Sequence, residues 1–178
     1  MKKTFKIIVN ILFSIVAIFT IFILFLNITS KNDVPIIGKY SLLSVKGDSM
    51  YPVIKNGDLI VINRKYESSY EINDIISFID SDRKIIVTHQ IVDIVNENGE
   101  FKYLTKGINN INIDGDYVLE NEIIGKYEKV KIPFVGFIVN FASTTIGYVI
   151  LVVIPLGILL LIAIYKLMKE FDKKGEEL

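Results

Sequence analysis

Two long apolar tracts without a charged residue constrain this chain more than any other feature. The first runs from Ile7 to Asn27, and the second lies between Lys131 and Lys166. About 20 apolar residues in a helix match a bilayer hydrocarbon core of about 30 Å, so each tract is long enough to span a membrane. A chain of 178 residues has no core that would bury two such helices. The sequence therefore predicts two transmembrane helices with a domain between them.

The first tract has one alternative interpretation, a cleavable signal peptide. The apolar region of a signal peptide is about 7–15 residues long, and a small-residue cleavage site follows it. This tract is longer, and residues 27–33, NITSKND, show no Ala-x-Ala pattern. A membrane-spanning signal anchor is the favoured interpretation.

The second tract exceeds one perpendicular span, so we expect it to divide. Residues 132–144 would form a packed or interface-lying segment, in which Phe134 and Phe137 are expected at the membrane interface. Residues 145–165 would form the span itself. Pro155 falls inside this span, where a kink is tolerated in lipid.

Lysines flank both tracts on their outer ends: Lys2, Lys3 and Lys6 before the first, and Lys166, Lys169, Lys173 and Lys174 after the second. Positive charge stays on the cytoplasmic side, which predicts a multi-pass protein of the cell membrane with both termini inside. The predicted organisation is a signal anchor (1–30), an extracytoplasmic domain (31–131), a membrane-associated segment with the second helix (132–166), and a cytoplasmic tail (167–178).

The composition excludes several classes of chemistry. Twenty basic residues balance 20 acidic ones, which argues against nucleic acid as an electrostatic partner. The chain has no Cys, so disulfides, thiolate metal sites and a cysteine nucleophile are excluded. A single His cannot build a multi-histidine metal site. No metal or cofactor is therefore predicted.

The domain between the tracts is predicted to be mainly β. Its short runs of β-branched and aromatic residues are SLLSVK (41–46), LIVINR (59–64), DIISFI (74–79), KIIVTHQIVDIV (84–95) and FKYLTK (101–106). Turn-forming clusters of Asn, Asp and Gly separate them. The predicted fold class is a mainly β domain flanked by two transmembrane α-helices.

The segment Gly47–Pro52 holds a candidate nucleophile, Ser49. A serine between Gly-Asp and Met-Tyr-Pro, directly after a strand, is expected on a tight, exposed bend. Such a bend frees the hydroxyl and points backbone N–H groups outward, as an oxyanion hole requires.

The lone histidine, His89, is a candidate base on the strand IVTHQIVDI. Strand alternation places it on a mostly apolar face with Val87, Ile91 and Asp93. Burial there favours the neutral imidazole, which can accept a proton from a serine. The alternative is a core histidine without chemistry, and the residues alone leave both readings open.

The order and spacing of these segments resemble the type I signal peptidases, in the branch that uses Ser and His, of the endoplasmic-reticulum, archaeal and sporulation-type Gram-positive kind. The matching segments are Gly47–Ile54 with Gly57–Ile60, Asn73–Ile76, Val87–Val92, Leu104–Gly107 with Asn109, Asn110 and Asp114, and Ile123–Lys126. The match covers residues 40–130 in order, inside the expected membrane frame.

The resemblance implies a membrane-bound serine endopeptidase that removes signal peptides. Ser49 would be the nucleophile, His89 the general base, and the backbone N–H of Ser49 an oxyanion donor. The implied substrates are secretory preproteins, cut after small residues of the Ala-x-Ala type. Their extended chain would add to a sheet edge.

One departure from the family pattern concerns the acid. The Thr-Lys-Gly box normally continues with Asp, and here that position is Ile108. The second acid of the box is retained at Asp114, which is the expected third member of the triad; Asp116 is a nearby substitute. Ordinary turn chemistry beside Gly115 is the structural alternative. Gln90, where Arg is usual, is a milder departure.

A lysine base is disfavoured, because in the relatives that use one the lysine occupies the position that His89 fills here. Lys106 is then part of the Thr-Lys-Gly box, and Lys84 lies at a strand end.

Two other functions stay open. An inactive or accessory membrane-tethered module that binds preproteins is one alternative, supported by Ile108. A peptidase dedicated to a narrow set of pilin, spore or matrix precursors is the other.

Overall fold

The computed structural model describes residues 7, 10–11, 13–21, 30–31, 34–64 and 70–176. The chain divides into two compact units. One is Thr29–Val139, and the other combines Met1–Ile28 with Asn140–Leu178.

The unit Thr29–Val139 is built on one nine-stranded antiparallel sheet. Its strands are β1 (Ser30–Lys31), β2 (Val34–Ile37), β3 (Tyr40–Ser44), β4 (Leu59–Asn63), β5 (Ile75–Asp80), β6 (Ile85–Glu97), β7 (Glu100–Lys106), β8 (Val118–Leu119) and β9 (Ile123–Ile132). Their order is β1-β2-β3-β4-β9-β5-β6-β7-β8. The mainly β fold predicted from the sequence is confirmed for this unit.

Strands β3 to β7 coincide with the five predicted runs. Alternation of buried and exposed positions is clear in β3 and in the middle of β6. A two-residue turn joins β6 to β7, in which Asn98 and Gly99 have φ of 55° and 91°. Positive φ at both residues is the requirement of the turns that match strand twist, which explains the Asn-Gly pair.

The sheet carries two separate hydrophobic clusters. The first, called the β3–β4 cluster, consists of Leu43, Met50, Ile54, Ile60, Ile62, Ile124 and Tyr127. The second, called the β5–β7 cluster, consists of Ile76, Phe78, Ile91, Tyr103 and Val118. Strand β9 lies between β4 and β5 and ties the two halves of the sheet together.

Strand β9 extends further than the expected strand at residues 123–126. It reaches Ile132 by way of an irregularity opposite β4, where Lys129 has a φ of 58°. Near its start, a Cβ on Gly125 would lie 2.2 Å from the carbonyl oxygen of Asn63. The glycine therefore allows β9 to pack directly against β4.

The second apolar tract is helical over most of its length. Helix Val135–Ala142 is followed by one turn at Thr145–Tyr148, a π-helical segment Val149–Val153, and helix Ile154–Glu176. Within the described residues, Thr145–Tyr165 is the one stretch long and apolar enough to cross a membrane, and 11% of its most apolar window is buried. It coincides with the predicted second span. The predicted cytoplasmic tail continues this helix to Glu176.

The predicted first span, residues 7–27, lies partly outside the described residues. Those described, residues 7, 10–11 and 13–21, are helical. In the same unit Phe19 packs against the buried pair Ala142 and Val152.

A π-helical segment, Val149–Val153, lies shortly before Pro155 in the chain. Proline has no N–H and its ring crowds the preceding turn. Widening the helix by one residue over Val149–Val153 accommodates that defect.

Candidate active site

Ser49 lies on a tight turn after β3. The turn is closed by hydrogen bonds from Tyr51 N to Asp48 O (3.1 Å) and from Ile54 N to Met50 O (3.0 Å). Met50 is 1% exposed and anchors the turn in the β3–β4 cluster. Ser49 itself is half-buried, so its hydroxyl stays accessible on an otherwise fixed bend.

His89 lies in the middle of β6, opposite Ile76 on β5. It is 8% exposed, and the ring of Phe78 meets its imidazole edge-on at 6.5 Å between centroids. The predicted apolar face holds for His89 and the fully buried Ile91. It does not extend to Asp93, because the β6–β7 register shifts between residues 91 and 93 and leaves Asp93 exposed.

Asp114 lies in the loop between β7 and β8. Its backbone N–H donates to the carbonyl of Thr105 at 2.9 Å. The Thr105 hydroxyl donates in turn to Asp114 Oδ2 at 2.6 Å. The loop thereby returns to β7, and the carboxylate faces the sheet beside β6.

The structure brings together the three residues predicted for the site. Ser49 Oγ lies 3.2 Å from His89 Nε2, and Asp114 Oδ2 lies 2.6 Å from His89 Nδ1. With the imidazole proton on Nδ1 and donated to the carboxylate, Nε2 accepts from the serine hydroxyl. This order of hydroxyl, imidazole and carboxylate can generate a serine alkoxide nucleophile.

The β7–β8 loop also holds the serine turn. The backbone N–H of Asn109 donates to Ser49 O at 2.7 Å, and its side-chain amide donates to Asp48 O at 3.2 Å. A Cβ on Gly107 would lie 2.8 Å from Ser49 O. Glycine is therefore required for this close approach of the two segments.

Ile108, the departure from the family pattern, packs against the β3–β4 cluster that contains Met50. The carboxylate that contacts the imidazole is that of Asp114, six residues further along. Ile108 therefore leaves the hydrogen bond at Nδ1 intact. Asp116, the considered substitute, lines the neighbouring cavity.

An open cavity of about 720 Å³ adjoins His89 and Asp114. Its walls are the turn between β5 and β6 on one side and loop residues 109–118 on the other. The acidic side chains on the walls are Asp80, Asp82, Asp114, Asp116 and Glu122. Ser49 is not among the residues that line this cavity.

Three further predicted positions lie around the site. Lys106 pairs in register with Gln90 across β6 and β7, and the Gln90 amide donates to Asn73 O at 3.2 Å. Lys84 is exposed in the turn between β5 and β6, with a φ of 54°. Neither lysine lies in the hydrogen-bonded chain of Ser49, His89 and Asp114.

The contacts of Thr105 and Asn109 were not anticipated from the sequence. Both residues belong to the segment that resembles the Thr-Lys-Gly box, yet their partners lie 9 and about 60 residues away in the chain.

No group of three or more His, Asp or Glu in the described part of the chain could hold a metal ion. Burial raises the pKa of the Tyr103 and Tyr127 hydroxyls above the ordinary value of 10.0, so both stay neutral at physiological pH. These tyrosines are therefore packing residues of the two clusters.

A hydroxyl, an imidazole and a carboxylate in hydrogen-bonded sequence is the arrangement that serine hydrolases use. A family model described as peptidase S24-like matches residues 27–126, which is more than half of the chain. The chain belongs to this family, and its resemblance to the type I signal peptidases is confirmed.

One similar protein is signal peptidase I W of Bacillus subtilis (strain 168). It is 29% identical over 134 residues, which cover 75% of this chain and 69% of the relative. The signal peptidase complex catalytic subunit sec11 of Neurospora crassa is 32% identical over 110 residues, 57% of this chain and 63% of the relative. The corresponding subunit of Colletotrichum graminicola is 29% identical over 126 residues, 66% and 69% of the two chains. The chain thus spans about two thirds of the length of these relatives.

Proposed function

We propose that this chain is a membrane-bound serine endopeptidase that removes signal peptides from secretory preproteins. The observation that carries the proposal is the hydrogen-bonded sequence of Ser49, His89 and Asp114. The names of the similar proteins support the substrate class. In this proposal Ser49 is the nucleophile, His89 the general base, and Asp114 the residue that orients the imidazole.

The first half of the reaction forms an acyl-enzyme. Ser49 Oγ attacks the scissile carbonyl while its proton passes to His89 Nε2. Asp114 stabilises the imidazolium through Nδ1, and the backbone N–H of Ser49 contributes to binding the oxyanion. The tetrahedral intermediate then collapses, His89 gives its proton to the departing amine, and the signal peptide remains bound to Ser49 as an ester.

The second half releases the signal peptide. A water molecule gives a proton to Nε2 of His89 and attacks the ester carbonyl. Collapse of this second intermediate breaks the bond to Ser49 Oγ, which recovers its proton from His89. The products are a free carboxylate on the signal peptide and a free amine on the mature protein.

The finer features of the substrate and topology are part of the same proposal. Cleavage follows small residues of the Ala-x-Ala type, and the preprotein binds as an added strand. The catalytic domain, residues 31–131, lies outside the membrane, and both termini are cytoplasmic. The helical stretch Thr145–Tyr165 supports an anchor in the lipid bilayer.

The accessory, non-catalytic alternative depended on Ile108. The contact of Ile108 with the β3–β4 cluster, and the Asp114 carboxylate on Nδ1, remove that reason for inactivity. Catalysis is therefore the function that the geometry supports best.

The test is cleavage of a preprotein with an Ala-x-Ala site by the full chain in liposomes. We expect Ser49→Ala and His89→Ala each to lower the single-turnover rate by about 10⁴-fold or more. We also expect Asp114→Ala not to cleave the preprotein. Asp116→Ala is the matched control from the same loop and should cleave normally.

The proposal is wrong if the natural chain binds the preprotein but does not cut it. If Asp114→Ala cuts as fast as the natural chain, Asp114 loses its role. If Asp116→Ala fails instead, the acid is Asp116.

A further inference from the structure

Thr105 is a buried hydroxyl in contact with the site. Its exposed fraction is 0%, and its Oγ1 donates to Asp114 Oδ2 at 2.6 Å. That length is typical of a hydroxyl bound to an ionised carboxylate. The oxygen that accepts this bond is also the one that faces His89 Nδ1 at 2.6 Å. One carboxylate oxygen therefore serves both the hydroxyl and the imidazole.

Asp114 needs such support because it lies on a loop. Its side chain is 27% exposed, so the carboxylate is partly open to solvent. Thr105 holds the residue at two points, through its carbonyl to Asp114 N (2.9 Å) and through its hydroxyl to Oδ2. These two bonds restrict both the backbone and the side-chain torsions of Asp114.

Thr105 itself is fixed by the sheet. It lies in β7 opposite Ile91 of β6, and Ile91 is two residues from His89 along β6. The hydroxyl and the imidazole are therefore fixed by one pair of strands, and the distance between them does not depend on the loop. Rigid elements hold such geometry more accurately than loops do.

We propose that Thr105 is a positioning residue of this site: its hydroxyl orients the Asp114 carboxylate toward His89 Nδ1 and so keeps Nε2 directed at Ser49. Its kinetic consequence rests on the proposed peptidase function. Its structural consequence, a defined hydrogen bond at Nδ1, does not.

Two substitutions separate this role from simple packing. Thr105→Val removes the hydroxyl and keeps the branched shape, whereas Thr105→Ser keeps the hydroxyl. Thr88→Val is the matched control, because the Thr88 hydroxyl pairs with Ser77 Oγ at 2.7 Å beside His89 on β6 and outside the triad. It reports the cost of losing a buried hydroxyl pair near the histidine.

The kinetic test measures kcat and KM for preprotein cleavage by folded protein. We expect Thr105→Val to lower kcat about tenfold with KM unchanged, since a charge-assisted bond that orients the acid is lost. Thr105→Ser should retain kcat within about twofold, and Thr88→Val should retain it as well. Equal kcat for Thr105→Val and the natural chain, or an equal loss in Thr88→Val, would overturn the proposal.

A spectroscopic test needs no activity. The chain has a single histidine, so ¹⁵N-labelled histidine gives one Nδ1 proton signal, that of His89. A short bond to a carboxylate moves this proton far downfield, and we expect Thr105→Val to shift or broaden it while Thr105→Ser and Thr88→Val do not.

An unchanged Nδ1 signal in Thr105→Val would refute the positioning role. If the natural chain does not cleave preproteins while Thr105→Val still changes the signal, the proposed function fails and the inference about Thr105 stands.

Discussion

The two hydrophobic clusters of the sheet support the site in different ways. The β5–β7 cluster includes Phe78, which contacts His89, and strand β6 pairs with β5 on one side and, from Gln90 onward, with β7 on the other. The β3–β4 cluster holds the irregular turn of Ser49 through two buried side chains, Met50 and Ile54. His89 is therefore positioned by the sheet, and Ser49 by two buried side chains of its turn and a few hydrogen bonds.

This difference teaches where the site is sensitive. Strand pairing holds the backbone of His89 through many hydrogen bonds, and the proposed role of Thr105 concerns the orientation of the imidazole. The position of Ser49 depends on the buried side chain of Met50 and on the hydrogen bond from Asn109 N–H to Ser49 O. Truncation of the apolar side chains that hold the serine turn should change the rate as well as stability, whereas truncation of the apolar side chains packed beside His89 should change mainly stability.

The largest expected effect compares Met50→Ala with Ile91→Ala. Both side chains are buried, at 1% and 0% exposure, so each truncation should lower the free energy of unfolding by about 2–5 kcal/mol. Of the two, Met50→Ala alone should also lower kcat of the folded protein, because Met50 lies on the serine turn and Ile91 does not. Denaturant unfolding and kcat, measured at a temperature where both variants are folded, check this. Equal kcat losses would break the comparison.

A smaller effect is expected at Asn109. Asn109→Ala removes the amide that donates to Asp48 O and leaves the backbone bond to Ser49 O in place. We expect kcat to fall about threefold, the value of one exposed hydrogen bond. Asn112→Ala, an exposed asparagine of the same loop, is the control and should retain the natural kcat.

The smallest effect concerns the tyrosine in each cluster. Burial raises the pKa of Tyr127 in the β3–β4 cluster and of Tyr103 in the β5–β7 cluster. The folded state keeps both phenols protonated to higher pH than the unfolded chain does. Their contribution to stability is therefore complete below about pH 10 and is lost as pH rises above it.

The free energy of unfolding, measured between pH 8 and pH 11, checks this sign. We expect it to fall as the pH rises past the ordinary tyrosine pKa of about 10. Tyr103→Phe and Tyr127→Phe should each weaken the alkaline loss. A natural chain that gains stability on alkalinisation would contradict the account.

Much of the fold could be predicted from the sequence because five strands obey local rules. Their β-branched residues and their Asn-Gly and Asp-Gly turns are visible without tertiary context. Strand β9 could be predicted only in part, because the irregularity at Lys129 interrupts its alternation and its charged residues obscure the strand. Strand alternation also places Asp93 on the wrong face, because the β6–β7 register shifts between residues 91 and 93 and no local pattern encodes that shift.

The candidate site, like the fold, could be predicted only in part. Residue type alone marks Ser49 and His89 as candidates, whereas Asp114 is selected by the family resemblance; the structure places the three in hydrogen-bond contact. The supporting contacts of Thr105 and Asn109 could not be predicted, since they are hydrogen bonds between distant segments whose geometry only the folded sheet and loop define.

The most direct test of the central claim is to trap the acyl-enzyme. The full chain in liposomes is mixed with a preprotein, quenched in acid within the first turnover, digested, and examined by mass spectrometry. The account predicts the signal peptide esterified to the peptide that contains Ser49, and no adduct in Ser49→Ala. Cleavage that proceeds in Ser49→Ala, or an adduct on any other residue, would contradict it.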